Sequence, residues 1–474
     1  MKNYPEDEKL SNYTDEKLSN YTEILISPAH DFWQDAKHLF KTDDLFSLTE
    51  MTTSDFIQLV HLIGLTTTDY ALKHPKVQEL LHDKKLEFDL LLAEQFYQEA
   101  FLALAYKYKV PVVTMATLGF GNYMSQMMGF ITPLSFVPHG YLTFDDQMTL
   151  YERFVNTYIS LYEDFDREMI YFPKQDALVK KYFSHLESPI PSVSKMEKNI
   201  SVILLNSHIP LTTPRPSVPG MIQVGGLHVK EPKPLPKDIK QFLDGAENGA
   251  IYFSLGTNLR SSDIPSEKLS VLLKVLGSVK QRILWKWEDE KIPQLPKNIM
   301  VKKWMPQSDI LAHYNVKVFI THGGLFGTQE GVYHAVPMLG IPVYCDQHLN
   351  MKKATRDGYA IYLHFPNITE GSFSWALSEL LYNPTYMQNV QRISTIFRDR
   401  PMPALDTAMY WIEYVIRHKG ASQLRCAGRD LSWYSFYLLD LVSIVLGVAF
   451  TVIGVIYLLC LLRSKKISKK EKYQ

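Results

Sequence analysis

Apolar runs alternate with helical patterns along most of the chain, and the first half of the chain shows this alternation clearly. Residues 87–94 (EFDLLLAE) have the pattern of a buried strand, and a helical stretch (QEAFLALAYKY) and a second strand (VPVVTMA) follow. Strands resume at residues 201–208 (SVILLNSH), after a helical segment rich in Tyr and Phe. Strands separated by helices form parallel sheets that those helices cover. Residues 23–212 are therefore predicted to form one α/β domain.

The second half of the chain repeats the alternation with buried strands. The strand patterns AIYFSLGT, QRILWKWE, NIMVKKW, VKVFITHGG and VPMLGIPVY are separated by helical stretches. Prolines recur between residues 213 and 236, and proline at this density stops helices and stiffens a connection. We predict a linker over 213–236 and a second doubly wound α/β domain over 237–420, which ends in a helix beginning near Pro403.

The C-terminal region contains a long uncharged segment. Residues 441–462 (LVSIVLGVAFTVIGVIYLLCLL) are 22 residues without a charge. As a helix they are about 33 Å long, which is enough to cross a hydrocarbon core. Trp433, Tyr434 and Tyr437 precede the segment, where aromatic rings favour the membrane interface, and a basic tail, 463–474, follows. We predict a transmembrane helix, a cytosolic tail and a catalytic region on the opposite side of the membrane.

The N-terminal segment does not match that topology. Residues 1–22 are polar, lack the apolar core of a signal peptide and contain DEKLSNYT twice in tandem. The predicted orientation of the anchor requires a translocation signal. We interpret 1–22 as something other than the native start of a domain, and the first domain as incomplete at its start. The alternative is a short surface duplication.

Composition excludes several classes of function. Among 474 residues, Lys plus Arg and Asp plus Glu both count 50, so no overall field attracts nucleic acid. The three cysteines, Cys345, Cys426 and Cys460, are too few and too scattered for a disulfide framework or a zinc site. No metal site and no nucleic-acid partner are predicted, and the oligomeric state is left open.

Two strand ends in the second half carry phosphate-compatible turns. Ligands of open α/β sheets lie at the carboxyl ends of strands, where helix N-termini present unpaired N–H groups. After one strand, Gly323 and Gly324 let the backbone approach an anion, and His322 offers a donor. Another strand ends with Ser254 and Gly256. The alternative is that the glycines only make a strand-to-helix turn.

Three more features extend this pattern. Trp304 follows a strand and offers a flat ring on which a base could stack. Glu330 and the pair Asp346–Gln347 offer acceptors for the hydroxyls of a ribose and a sugar. No single feature is specific, but together they describe a base, a ribose, a diphosphate and a sugar.

The segment from Trp304 to Gln347 (WMPQSDILAHYNVKVFITHGGLFGTQEGVYHAVPMLGIPVYCDQ) resembles the signature of the UDP-glycosyltransferase family, membrane-anchored animal branch, and HGGLFGTQE has an invertebrate wording. The resemblance covers nearly the whole chain, including FVPHGYLTFDDQMTLYERFVN and RPMPALDTAMYWIEYVIRHKG. It implies a GT-B fold of two Rossmann-like α/β domains. The first would bind mainly the acceptor, and the second a UDP-sugar, which serves as a co-substrate with no further cofactor.

The resemblance also implies roles for single residues. Trp304 would stack on uracil and Gln307 would help to hold it. Ser254, His322 and Gly324 would contact the diphosphate. Glu330 would bind the ribose hydroxyls, and Asp346 and Gln347 would bind the transferred sugar. Vertebrate members more often have Thr-Asn where this chain has Leu325–Phe326, so contacts to phosphate there would come from the backbone.

An inverting transfer needs a base that deprotonates the acceptor hydroxyl, and a histidine oriented by a carboxylate suits this task. The resemblance places this carboxylate at Glu94, where many relatives have Asp. The alternative is that Glu94 is only a solvated residue at the end of a strand or a helix cap. The histidine of the family follows the first strand of the domain. His30 follows an apolar run but lies later in the domain, so no base is assigned, and the chain is expected to bind UDP yet to transfer sugar poorly.

The predicted function is transfer of glucose or glucuronic acid from a UDP-sugar to a hydroxyl of a small lipophilic acceptor, a detoxification reaction, at the endoplasmic reticulum membrane. Lys470 and Lys472 resemble a cytosolic retrieval signal for that compartment. The leading alternative is a catalytically dead relative that binds a UDP-sugar or a hydrophobic ligand. A nicotinamide dehydrogenase is a weaker alternative. The glycine cluster GFGNYMSQMMG lacks the third glycine at the spacing that the dinucleotide-binding motif requires. The sequons at residues 12, 20, 199 and 367 are usable only on the lumenal side.

Overall fold

The computed structural model describes residues 22–24, 26, 45–186, 189–289, 292 and 295–471, with side chains up to residue 463. The first domain is built on a four-stranded parallel sheet in the order β1-β2-β3-β4. Its strands are β1 Leu91–Glu94, β2 Val112–Ala116, β3 Val202–Leu205 and β4 Met221–Gln223. β1 is shorter than the apolar run that predicts it. β2 and β3 are almost completely buried, as expected for inner strands of a covered sheet.

Seven helices belong to the described part of the first domain: α1 Thr53–Leu72, α2 Pro75–His82, α3 Ala103–Tyr108, α4 Tyr123–Met128, α5 Leu150–Asp166, α6 Phe172–Phe183 and α7 Val193–Glu197. A π-helical turn, Arg167–Tyr171, joins α5 to α6. Thr149 caps α5 through a capping box with Glu152, which satisfies two backbone N–H groups at the helix start. The segment rich in Tyr and Phe therefore forms α5, the π-helical turn and α6, which follow one another without a break.

The second domain contains a six-stranded parallel sheet in the order β10-β9-β8-β5-β6-β7. Its strands are β5 Ala250–Ser254, β6 Arg282–Lys286, β7 Ile299–Lys302, β8 Val316–Thr321, β9 Met338–Gly340 and β10 Ala360–Tyr362. The chain starts in the middle with β5, builds outward to β7 and then returns to add β8 beside β5. This order is that of a dinucleotide-binding domain, and its direction reverses between β5 and β8.

The helices of the second domain alternate with these strands. They are α8 Lys237–Asp244, α9 Ser266–Ser278, α10 Gln307–Leu311, α11 Leu325–Tyr333, α12 Gln347–Arg356, α13 Glu370–Tyr382 and α14 Pro384–Arg398. Proline at the first position of α14 fits a helix start, because the N–H that proline lacks would have no partner there. The predicted doubly wound architecture is confirmed.

The next helix, α15 Ala404–Arg417, returns to the first domain. Its buried residues Ala408 and Val415 lie in one cluster with Val113 of β2 and Val202 of β3. The chain therefore crosses between the domains twice, once before α8 and once after α14. The predicted linker, 213–236, contains β4, so the first sheet extends into it; residues 224–236 form no helix or strand.

A short helix, α16 Trp433–Phe436, leads into α17 Leu439–Glu471. The segment Leu439–Arg463 of α17 is 25 residues long, apolar enough to span a bilayer, and has no buried share in the structure. It starts two residues before the predicted span. The tandem repeat, apart from its last residue Thr22, and the loop around His30 lie outside the described residues, as does Lys472.

Candidate functional site

The turns after β5 and β8 lie side by side at the carboxyl edge of the second sheet. Ser254 and Thr321 are paired across these two strands, so the chain continues from adjacent points into Gly256 and His322. Gly256 has a φ of +82°, and a Cβ at this position would lie 2.7 Å from Cε1 of His322. A Cβ on Gly324 would lie 2.5 Å from Nε2 of His322. The imidazole is thus held between two glycines, and larger residues at either position would displace it.

His322 is a partly buried side chain whose Nδ1 is buried without a hydrogen-bond partner among the described residues. Burial, and then the positive charge of Lys286, lower the pKa of His322 to about 4. The Lys286 ammonium itself donates to the Gly256 carbonyl (2.9 Å) and to Glu288 (2.8 Å). His322 is therefore neutral at physiological pH, with one N–H donor and one acceptor nitrogen.

The N-terminus of α11 follows the second turn. Gly324 is the N-cap residue, and the first intrahelical bond runs from Thr328 N–H to the Gly324 carbonyl. The N–H groups of the first turn precede that bond and have no partner within the helix. They add the positive end of the helix dipole to a site already lined by glycine backbone, which is the environment that binds phosphate groups. Leu325 and Phe326 lie in this turn, so only the backbone is available for an anion there.

Gln307, at the start of α10, donates a hydrogen bond from its amide to Glu330 of α11. Burial raises the pKa of Glu330 to about 7, although the bond from Gln307 works in the opposite direction. Trp304 lies between β7 and α10, with 48% of its surface exposed. The structure thus brings Gln307 and Glu330 into contact and leaves the Trp304 ring accessible at the same sheet edge.

Asp346 and Gln347 form the start of α12, beyond β9. The amide of Asn350 donates to the Asp346 carboxylate (2.7 Å), and burial raises the pKa of Asp346 to about 6. The side-chain oxygen of Gln347 accepts from the backbone N–H groups of Val343 (2.9 Å) and Tyr344 (3.1 Å). Gln347 therefore fixes the preceding turn through its oxygen, and its amide N–H₂ is the group that can donate to a ligand.

A narrow cavity of about 40 Å³ connects Asp346 with the first domain. Its first-domain walls are mostly aromatic or apolar, with a few buried polar groups: Phe96, Tyr97, Phe120, Tyr123, Met124 and Tyr141 are accompanied by Gln95, Asn122, His139 and Glu163. An apolar lining with a few convergent polar groups is the usual character of a small-molecule site. This cavity lies between the two domains, beside the carboxylate of Asp346.

His139 and Glu163 form a buried hydrogen-bonded pair in this cavity, and sequence reasoning missed both. Nε2 of His139 lies 2.9 Å from Glu163, whose other oxygen accepts from the Tyr97 hydroxyl (2.7 Å). Burial alone would raise the pKa of Glu163, but His139, Arg167 and the Tyr97 bond lower it to about 2. The only local signal was the histidine in FVPHG; the pairing joins a loop to α5 and depends on the tertiary fold.

Glu94, the predicted orienting carboxylate, lies at the carboxyl end of β1 and is exposed. It accepts a hydrogen bond from the Thr117 hydroxyl. The next residue, Gln95, is buried and lines the interdomain cavity. Within the described part of the chain, no histidine is hydrogen-bonded to Glu94, and His30 lies outside that part.

Helix α11 also connects the two domains. The Gln329 side chain is fully buried, donates to the Asn206 carbonyl (3.1 Å) and accepts from Gly226 N–H (3.0 Å). Nε2 of His228 lies 3.3 Å from the Phe326 carbonyl. The helix whose N-terminus lines the candidate anion site therefore also fixes the position of the first domain.

Among the described residues, no group of three or more His, Cys, Asp or Glu side chains has the arrangement of a metal site. The polar groups of the site are instead backbone N–H groups, one neutral imidazole and several carboxyl and amide side chains. This set can bind a nucleotide sugar by hydrogen bonds and by the helix dipole.

Comparison with known proteins identifies relatives along almost the full length. The model of the family described as UDP-glucoronosyl and UDP-glucosyl transferase matches residues 29–474. UDP-glycosyltransferase UGT5 of Dactylopius coccus is 36% identical over 96% of this chain and 84% of its own. UDP-glucuronosyltransferase 2B15 of Homo sapiens is 34% identical over 85% of this chain and 74% of its own.

Solved structures agree on the fold. UDP-glucose:anthocyanidin 3-O-glucosyltransferase in complex with UDP aligns with a TM-score of 0.52 and 17% identity, over 75% of this chain and 81% of that one. Glycosyltransferase VinC in complex with dTDP aligns with a TM-score of 0.52 and 13% identity, over 78% of this chain and 84% of that one. The fold is GT-B, and the chain belongs to the family of UDP-glucuronosyl and UDP-glucosyl transferases.

Proposed function

We propose that this protein transfers glucose or glucuronic acid from a UDP-sugar to a hydroxyl group of a small lipophilic acceptor, with inversion at the anomeric carbon. The observation that carries the proposal is the arrangement at the carboxyl ends of β5 and β8. There the neutral His322 is held between two glycine turns at the N-terminus of α11. Family membership supports a UDP-sugar as the donor.

The donor would lie along the edge of the second sheet. Uracil would stack on Trp304 beside Gln307, and the ribose hydroxyls would donate to Glu330. The diphosphate would contact Ser254, His322 and the backbone of Gly256, Gly323 and Gly324, and Asp346 and Gln347 would hold the transferred sugar. The proposal needs no metal, because the dipole of α11 and the His322 N–H stabilise the UDP that leaves.

The acceptor would enter the interdomain cavity, where aromatic walls suit a lipophilic body and Asp346 marks the sugar side. At about 40 Å³ the cavity is smaller than such an acceptor, so binding requires movement of side chains or of the domains. In the reaction, a histidine base takes the proton of the acceptor hydroxyl, whose oxygen bonds to the anomeric carbon. The bond from that carbon to UDP breaks, and the electron pair leaves with UDP. Glu94 would orient the base and stabilise its charged form.

The site of action would be the endoplasmic reticulum membrane, with α17 as a single-pass anchor, both domains lumenal and the tail cytosolic. The positive-inside rule and the basic residues after the span support this orientation. Lys470 and Lys472 would serve as the retrieval signal, and the physiological role would be conjugation of lipophilic compounds.

A Trp304→Ala variant tests the donor site. Stacking of a base on an aromatic ring contributes about 1–3 kcal/mol in comparable protein platforms, so UDP affinity should fall by about tenfold or more in a calorimetric titration. Trp375→Ala is the matched control, because Trp375 is also exposed but lies on α13. Equal UDP affinity of the folded Trp304→Ala variant and the wild type would remove the stacking contact from the proposal.

A Glu94→Gln variant separates transfer from binding. If Glu94 orients the base, turnover should fall by at least tenfold while the UDP affinity changes little, because the carboxylate is not part of the donor site. The control is Glu87→Gln, an exposed carboxyl in the segment before β1. Catalytic turnover that is unchanged in Glu94→Gln would exclude Glu94 from the mechanism. A wild type that binds UDP but transfers sugar to none of a panel of phenols and alcohols would instead favour the catalytically dead relative. The observation that supports this alternative is that Glu94 accepts a hydrogen bond from Thr117 and, among the described residues, from no histidine.

A further inference from the structure

A second cavity lies at the edge of the first sheet that is opposite to the interdomain cavity. Its walls include Asp89, Pro111 and Ser201, which lie shortly before β1, β2 and β3 respectively. The interdomain cavity is instead lined by residues that follow these strands, such as Gln95 after β1 and Leu118 after β2. The second cavity is therefore at the amino ends of the strands, and we call it the amino-edge cavity.

The amino-edge cavity has room for a small molecule. Its volume is about 590 Å³, which lies within the range of roughly 300–1,000 Å³ that is usual for ligand sites. One wall comes from the loops before the strands, and the other comes from the segment that follows α15, which contributes Lys419, Ser422, Arg425 and Arg429. This segment continues to α16 and α17. A ligand here would contact both the first sheet and the chain that returns from the second domain.

Positive charge dominates the lining of the amino-edge cavity. Lys109, Lys419, Arg425 and Arg429 line it, and Asp89 is the one carboxylate among its described lining residues. Within the described ranges, neither lysine forms an ion pair. Because the whole chain has 50 basic and 50 acidic residues, this excess of positive charge is a local feature.

Arg429 is a buried cation of this cavity that lacks a counter-charge. It is 3% exposed and donates to the carbonyls of Ile200 (2.6 Å) and Lys198 (3.2 Å) and to the sulfur of Met128 (2.8 Å). Its Nε is buried and has no hydrogen-bond partner in the part of the chain that the structure describes. The Asp430 carboxylate is 2.7 Å from a different guanidinium, that of Arg425.

The missing counter-charge affects the Arg429 side chain directly. Burial, and then the positive charge of Arg425, lower the pKa of Arg429 to about 10, so that it remains charged at physiological pH. A buried charge is costly unless an opposite charge accompanies it. An anion in the amino-edge cavity would therefore be favoured by Arg429 as well as by the two exposed lysines.

The neutral side chains of the cavity suit a phosphate group with a small body. Ser201 and Ser422 add hydroxyl groups, while Phe88 and Ile416 are exposed apolar walls. Ammonium, guanidinium and hydroxyl donors together form the usual environment of phosphate oxygens in proteins. A phosphate monoester has a charge of about −1.5 to −2 at neutral pH, which suits a group of several cations better than a single carboxylate does.

We propose that the amino-edge cavity binds the phosphate group of a small anionic ligand, at a site separate from the proposed UDP-sugar site. Lys109 and Lys419 would contact the phosphate, and Arg429 would add its buried charge behind them. The bound group would connect the loop before β2 to the segment after α15 and would hold that segment against the first sheet. The phosphate comes either from a free phosphorylated molecule or from the headgroup of a phospholipid, and the two sources are distinguished below.

The test uses the full chain in dodecyl maltoside micelles, produced in bacteria so that Asn199, a sequon residue in the cavity wall, stays unmodified. The probe is sn-glycerol 3-phosphate, whose phosphorus NMR resonance broadens on binding. Lys109→Gln combined with Lys419→Gln should weaken binding by about tenfold or more, because charge-assisted hydrogen bonds to the phosphate are lost. Both lysines are exposed, so their replacement leaves the packing of the domain intact.

Two controls locate the binding. Lys280→Gln combined with Lys297→Gln makes the same change in net charge at exposed residues of the second domain. His322→Ala reports any binding of the probe at the proposed donor site. We expect both controls to bind the probe as the wild type does. Equal binding by the wild type and the Lys109 and Lys419 variant would overturn the proposal, as would equal weakening in the Lys280 and Lys297 control or a loss confined to His322→Ala.

A second measurement identifies the source of the phosphate. The protein is passed through gel filtration from micelles that contain phosphatidic acid or phosphatidylcholine, and the lipid retained per protein is counted. Retention of phosphatidic acid above phosphatidylcholine, lost in the Lys109 and Lys419 variant, would assign the site to a lipid headgroup. Binding of sn-glycerol 3-phosphate without such a preference would assign it to a free phosphorylated molecule. Absence of both effects in the wild type would overturn the proposal, while the test of UDP binding is unaffected.

Discussion

At the residue scale, burial sets the charge of the side chains around the candidate nucleotide site. His322 is neutral at pH 7, because burial and Lys286 hold its pKa near 4. Glu330 and Asp346 have pKa values raised to about 7 and about 6, in each case because their carboxyl groups are buried. The negative charge of the site therefore increases as pH rises through the neutral range. The ionised carboxylates are stronger acceptors for hydroxyl groups than the protonated carboxyl groups.

This leads to a prediction about the pH dependence of UDP binding. If Glu330 accepts the ribose hydroxyls, its ionised form binds better, so wild-type affinity should increase by about three- to tenfold between pH 6 and pH 8. Glu330→Gln should bind more weakly at pH 8 and should lose that part of the increase. Both proteins are compared by calorimetry in the same buffers, so that titration of UDP itself cancels. Parallel pH profiles for the two proteins would show that Glu330 does not contact the ribose.

The same pKa shift has a consequence for stability, with a definite sign. The ordinary pKa of Glu330 is 4.5 and its folded value is about 7, so the folded protein holds this proton more tightly than the unfolded chain. This tighter proton binding adds to the free energy of unfolding. The added stability is fully present below the ordinary pKa and is lost as pH rises through the pKa of the folded protein. Glu330→Gln should therefore show a smaller fall in stability between pH 4.5 and pH 7 than the wild type.

At the element scale, α5 must be held firmly, because one of its sides faces outward and only the other packs. Its start is fixed by the capping box, in which Glu152 N–H donates to the Thr149 hydroxyl oxygen (3.3 Å) and Thr149 N–H donates to the Glu152 carboxylate (2.7 Å). Its end is fixed by Asp166, which bonds Nδ1 of His61 at 2.7 Å on α1. Local capping and one buried polar pair thus hold the two ends of the helix.

A Thr149→Ala variant tests the capping box. Loss of an N-cap hydroxyl costs about 1 kcal/mol, which corresponds to about fivefold faster opening of the first turn. Hydrogen exchange of the amides at residues 150–153, followed by mass spectrometry of the full chain, measures this rate. Thr157→Ala is the control, since the Thr157 hydroxyl only donates to the carbonyl one turn before it, that of Arg153 (2.8 Å). Exchange that is equally fast in wild type and Thr149→Ala would show that the cap does not stabilise the helix start.

The individual strands and turns show which parts of the fold sequence patterns can predict. Strand-to-helix alternation predicted both parallel sheets, because buried strands leave continuous apolar runs. The glycine turns after β5 and β8 were predicted together, since glycine is required wherever the backbone approaches another group closely, as Gly256 and Gly324 approach His322. By contrast, β4 lies among prolines and has only three residues, so its periodicity is too short to detect.

Non-local contacts explain what the sequence patterns missed at the site. His139 and Glu163 are 24 positions apart and meet only because α5 packs against the loop before it. The exposed apolar residues of α5, among them Leu150, Phe154 and Leu161, have helical spacing, but spacing cannot distinguish a side that faces the core from one that faces outward. Only the burial of Asn156 and Ile159 on the opposite side shows which one the core uses.

At the scale of the whole molecule, the two domains share chain segments instead of being joined by a single flexible tether. Gln329 of α11 bonds both to Asn206 and to Gly226 of the first domain. Helix α15 packs on the first sheet after the second domain is complete. Any relative movement of the domains that admits the proposed acceptor to the small cavity must therefore bend or break these specific contacts.

The return of α15 also determines what a shortened gene product would look like. A stop codon shortly after residue 403 would leave every strand and helix of the second domain intact. It would nevertheless uncover Val113 and Val202 in the first domain, which was synthesised hundreds of residues earlier. Such a late lesion would therefore appear to the quality-control machinery of the cell as a folding defect near the beginning of the protein, and the truncated chain would be degraded despite its complete nucleotide-binding half.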